Sequence, residues 1–63
     1  MTIMPAGELN RHRDSGKRVT YTAKGVERSF TLKTVIHEDG KVFLFYTDYA
    51  AWTVRPDVEV TVQ

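Results

Sequence analysis

The chain has 63 residues, nine basic and eight acidic side chains, a net charge of +1 and no cysteine. That length holds one domain and buries only ~60% of the surface of its unfolded chain, and the missing cysteines exclude disulfides and thiolate metal sites. No apolar run approaches the ~20 residues of a membrane-spanning helix, and Met1 to Gly7 has neither the basic start nor the long apolar stretch of an export signal, so a cytoplasmic protein is expected.

Residues 1–16 read as a flexible N-terminal arm. Pro5 and Gly7 interrupt regular structure, and Ala6 to Arg13 offers at most one helical turn with Leu9 as its anchor. The arm ends in a charged run, Arg11-His12-Arg13-Asp14-Ser15-Gly16-Lys17-Arg18, in which Asp14-Ser15-Gly16 is a turn signal.

From Lys17 the period becomes two, and residues 17–63 are expected to form one small β domain. Val19, Tyr21 and Ala23 alternate with Arg18, Thr20 and Thr22, which predicts a half-buried strand. Lys24-Gly25 is a short turn. Val26 to His37 alternates again, with Phe30, Leu32, Thr34 and Ile36 on one face and Val35 interrupting the polar one. Asp39-Gly40 between two strand patterns is the strongest hairpin signal in the chain. Val42 to Thr47 is apolar on both faces, so the strand is expected to be central, or its outer face to be covered by another element or a subunit.

Asp48 to Trp52 reads as a helical turn, with Asp48 as N-cap and Ala50 and Ala51 as helix formers. Thr53-Val54 is a short strand and Arg55-Pro56-Asp57 a turn. Val58, Val60 and Val62 give the last strand one clean apolar face. The expected fold is all-β, with four or five strands and one helical turn. This element order resembles a small SH3-like barrel, and a strongly bent antiparallel sheet is the alternative. No SH3 ligand motif accompanies the resemblance. Gly16-Lys17-Arg18-Val19, with Lys24-Gly25 and Phe30-Thr31, also resembles the hairpin of small phage head-completion proteins. Those flank the hairpin with helices, whereas the segment that follows here is patterned as β.

Catalytic chemistry finds little footing. Ser15 and Ser29 sit in no nucleophile elbow. His37-Glu38-Asp39 is the only acid–base trio, but neighbours on a strand diverge and Asp39 belongs to the turn. His12 and His37 lack ligand spacing, and the four glycines are spread singly, with no phosphate-cradling loop. No enzyme activity, metal or small-molecule cofactor is expected.

Two binding surfaces remain. Tyr46, Tyr49 and Trp52 with Arg55 form an aromatic segment of the composition found at protein-binding hot spots, although Trp52 also suits the end of a small core. Arg11, Arg13, Lys17 and Arg18, extended by Arg28, form a basic set fit for nucleic-acid phosphates, with Tyr46 and the pair Tyr21 and Phe30 as stacking rings. Those two rings are also claimed by the core. Residues 1–33 carry seven basic and three acidic groups, residues 34–63 two and five, a polarity that orients a partner or favours self-association. The leading expectation is a non-enzymatic interaction module, an accessory or inhibitory protein docking on a protein partner or on itself. Its size suits a phage or mobile element. The alternative is a nucleic-acid-binding small barrel. No membrane partner is expected.

Overall fold

Two tight turns set the architecture. Lys24-Gly25 has φ of +51° and +78°, and Asp39-Gly40 has +51° and +70°. Two consecutive positive φ values are the twist-matched two-residue hairpin turn, and glycine at the second position enters it without Cβ strain. A computed structural model describes residues 1–63. The first turn joins β2 (Arg18–Ala23) to β3 (Val26–Thr31), and the second joins β4 (Thr34–Glu38) to β5 (Lys41–Phe45). Both hairpins carry the register that such turns dictate, Ala23 opposite Val26 and Glu38 opposite Lys41.

The protein is all-β, with 54% of its residues in strands. Strands β1 (Thr2–Pro5) and β7 (Glu59–Val62) complete a four-stranded antiparallel sheet in the order β1-β7-β2-β3. β6 (Ala51–Val54) completes a three-stranded one, β4-β5-β6. The two sheets are not closed into a barrel, and they are separate four- and three-stranded sheets rather than a single bent one. Seven strands replace the four or five expected, partly because Val26 to Glu38 is split. Leu32 and Lys33 lie between β3 and β4, where the chain leaves one sheet for the other. The crossing shifts the alternation by one residue. Phe30, Leu32 and Val35 face inward, and Ile36 faces out. The interrupted polar face at Val35 was the trace of this shift.

The N-terminal segment departs most from expectation. Residues 1–16 are not an arm outside the domain. β1 pairs with β7 from Thr2↔Val62 to Pro5↔Glu59, a 3-10 turn follows at Ala6–Glu8, and α1 (Arg11–Asp14) is one helical turn. Ala6 and Leu9 belong to the same core of eleven buried apolar residues as Val19, Leu32, Leu44 and Val60. With so few members, the core depends on these two.

The helical turn expected over Asp48–Trp52 is absent. Thr47 Oγ1 accepts the backbone N–H groups of Tyr49 (3.1 Å) and Ala50 (2.9 Å) and holds Tyr46–Ala50 as a loop. A hydroxyl offering a local acceptor competes with helix formation, and Ala51 and Trp52 then join β6. No helix is long and apolar enough to cross a membrane.

Candidate docking site

One buried carboxylate, Asp14, ties down part of the basic run. Asn10 caps α1, its Oδ1 accepting from the backbone of His12 (2.8 Å) and Arg13 (3.1 Å). Asp14 returns the favour, accepting from the Asn10 N–H at 2.9 Å, a reciprocal cap. Asp14 is 1% exposed, and Arg13 grips it with Nε (3.0 Å) and Nη2 (2.9 Å) while Nη2 also reaches the Glu8 carbonyl. The Arg13 hydrogen bond holds the Asp14 carboxyl below the ordinary carboxylate value, against the opposing effect of burial. Lys17 Nζ stands 4.0 Å from the same carboxylate, and Arg18 Nε donates to Ser29 Oγ at 3.0 Å. Of the expected nucleic-acid set, Arg13, Lys17 and Arg18 therefore have partners in the fold, and Arg28 lies elsewhere. Arg11 has no carboxylate partner. Tyr21 is buried in the core, so it offers no face to a base.

The aromatic set is partly assembled. Tyr46 stacks on Trp52 with centroids 5.3 Å apart, Phe30 lies 6.0 Å from Tyr46, and Tyr21 meets Phe30 edge-on at 6.2 Å. The row runs along the seam between the two sheets. Trp52 is half-buried against the core, so it acts as structure and as surface together. Tyr46 is 38% exposed and Tyr49, at the tip of the Thr47-pinned loop, 95%. Arg55 is not with them. It follows the far end of β6, its Nε 3.6 Å from Asp57.

Arg28, missed as a member of this site, lies over the Trp52 ring with its guanidinium carbon 4.1 Å from the centroid. Cross-strand pairing places Tyr21 beside it. Burial pushes the Tyr21 phenol above its ordinary value, with the Arg28 cation opposing.

The outer face of β4-β5-β6 is a second surface. Period two puts Ile36, Phe43 and Phe45 on the side away from Leu44 and Val42, and the register sets Ile36 opposite Phe43 and Phe45 opposite Ala51. Ile36 is 41% exposed, Phe43 and Phe45 are half-buried, and none of the three packs against the core. Glu38 and Lys41, opposite each other, close one end of the face, and the Tyr49 loop closes the other. The two-sided apolar pattern of Val42 to Thr47 was its signal. β5 is the central strand of its sheet, the first of the two outcomes expected for it.

The two histidines, far apart in sequence, line one hollow with Leu9, Arg11 and Ile36. His37 Nε2 lies 2.8 Å from the Leu9 carbonyl. A carbonyl only accepts, so Nε2 carries the proton and ties β4 to the N-terminal segment. Asp39 is taken by its turn, and no group of three or more potential metal ligands forms.

Comparison with protein-family models, curated proteins and solved structures found no match.

Proposed function

We propose that this protein is a non-enzymatic docking module that engages a protein partner through the outer face of β4-β5-β6 and the Tyr49 loop at its rim. The observation that carries this reading is the outward row of exposed Ile36 and half-buried Phe43 and Phe45, none of which packs against the core. Contiguous exposed apolar surface rimmed by polar groups marks an interaction site, and full burial of each such side chain is worth about 1.5–3 kcal/mol.

The size of the face decides what kind of docking is supported. Three strands of about five residues span an area on the order of 200 Å², against about 800 Å² per partner in a standard interface. Even with Tyr49 added, the surface suits a transient complex better than an obligate dimer. The alternative reading, nucleic-acid binding by Arg11, Arg13, Lys17, Arg18 and Arg28, has less support, because Arg13 and Lys17 already face Asp14.

The test is photo-cross-linking in the producing cell, with benzoylphenylalanine placed at Phe43, Phe45 or Tyr49 and, as controls, at Thr22 or Glu27. A single adduct of defined mass from the first three positions and none from the controls is expected, and those from positions 45 and 49 should vanish in a Phe43→Ser background. Equal cross-linking at all five positions, or none at Phe43 and Phe45, overturns the proposal. Sedimentation of the purified chain identifies the case in which the adduct is a second copy.

A further inference from the structure

The Arg28 guanidinium is unusual in having no anion. It makes no ion pair and no side-chain hydrogen bond, and its Nε is shut off from solvent without an acceptor. Buried donors are otherwise paired almost without exception. Trp52 holds the group flat by a cation–π contact, which leaves the Nη end open. A pre-oriented guanidinium with its fork free is the arrangement that recognises a carboxylate in bidentate fashion.

It opens on a cleft of about 380 Å³ between the tip of the β2–β3 hairpin and β6. Lys24, Val26 and Arg28 stand on one side and Trp52, Thr53 and Val54 on the other, and no acidic side chain lines it. Three consecutive residues of a strand point to alternate faces, so a hollow touching all three runs along the edge of β6 rather than over one face. That edge is free, since β6 pairs only with β5. An unpaired edge presents a row of backbone donors and acceptors ready to template another strand.

We infer that the free edge of β6 takes an extended acidic peptide segment as an added strand, with a side-chain carboxylate of that segment held by Arg28 and Lys24. The inference rests on the docking-module reading and names the chemistry of a second contact with the partner. Backbone pairing would supply affinity and the cationic cleft would select the residue that enters it, as in other cases of strand addition. The two lining cations complement an acidic segment, and the apolar walls accept its neighbouring side chains. A free small anion would use the guanidinium but none of the edge.

Trp52 is the only tryptophan, so its emission reports on the cleft directly. The probe is an acetylated, amidated hexapeptide of alternating valine and threonine with one central aspartate, beside its asparagine counterpart and an N-methylated form that cannot pair. The aspartate peptide is expected to shift Trp52 emission saturably, with affinity falling as salt rises. The asparagine peptide should bind at least about tenfold more weakly, the loss expected of a charge-assisted bidentate contact. The N-methylated form should not bind. Arg28→Gln should bring the aspartate peptide down to the asparagine level and Arg28→Lys should retain part of the difference, both with unchanged circular dichroism. Equal binding of the aspartate and asparagine peptides, an acetate response matching the peptide's, or saturation by a thymidine oligonucleotide but not by the peptide would each overturn the inference. Phe43→Ser keeps the two proposals apart. In that variant, lost cross-links with retained peptide binding are expected of two separate contacts, whereas in the parent chain peptide binding without cross-links removes the outer face alone and cross-links without peptide binding remove the cleft alone.

Discussion

The two ends of the domain handle charge and grease in opposite ways. The N-terminal segment is dense in charge, yet its charges close on one another: Asp14 is buried under Arg13, within reach of Lys17, and fixed to the cap of α1. The β4-β5-β6 end is dense in apolar side chains, yet Ile36, Phe43 and Phe45 lie outside the core, and Arg28 beside it has no counter-ion. A cluster in sequence is therefore no measure of what a surface has to offer. What counts is whether the fold supplies the partner, and here it supplies one for the arginine at Arg13 and none for the arginine at Arg28.

The contrast is sharpest within β5 itself. Leu44→Ala removes a fully buried side chain and is expected to cost about 2–5 kcal/mol. A single core at this size supplies little more than about 3–5 kcal/mol in total, so that variant should be largely unfolded by circular dichroism. Phe43→Ser, one residue away on the outer face, removes a half-buried side chain that lies outside the core and should cost clearly less, about 1 kcal/mol. A melting temperature that falls as far for Phe43→Ser as for Leu44→Ala would show that the outer row is core after all.

Next in size is the Asp14 network. Asp14→Asn keeps the shape and removes the charge, and should cost about 1–2 kcal/mol, the worth of a charged hydrogen bond discounted for the exposed Arg13 side chain. The pH dependence has a definite sign. The Asp14 carboxyl is held below its ordinary 3.8, so the unfolded chain takes up that proton more readily than the folded one. The stabilisation is complete above the ordinary value and is lost as pH falls from there through the lowered one. Denaturation followed at several pH values should show this loss in the parent and a flatter profile in Asp14→Asn. Parallel curves would detach Asp14 from the stability of the N-terminal segment.

The smallest effect is expected at Tyr49. Tyr49→Ser touches a side chain with almost no protein contact and should change stability by no more than about 0.5 kcal/mol. A larger change in thermal unfolding would mean that the loop packs on something in solution.

Much of the sheet structure was legible because its causes are local. Val19, Tyr21 and Ala23 alternate, Asp39-Gly40 adopts the turn its residue types favour, and Val60 and Val62 bury the face their spacing predicts. The failures share a different physics. β1 is a strand only because β7 supplies its partner from the far end of the chain, and no local pattern in Thr2 to Pro5 announces it. The phase shift at Leu32 and Lys33 is imposed by the change of sheet. The Thr47 hydroxyl decided a contest with helix that Asp48, Ala50 and Ala51 had seemed to win. At the candidate site, Tyr46, Tyr49 and Trp52 were visible by composition, and the outer face was visible as a strand apolar on both sides. The Arg28–Trp52 contact joins separate hairpins and left no mark in the sequence.

The pairing of first strand with last has a mechanical consequence. Thr2 stands opposite Val62, so both ends of the chain leave the domain at one corner. Antiparallel ladder bonds lie across the strands, so tension applied between those ends loads the rungs of β1 and β7 in turn rather than together. A domain tethered through both termini would open like a zipper, at low force and from a known starting rung. The same corner is the natural place to join the ends by a short linker and move the break in the chain to one of the two hairpin tips.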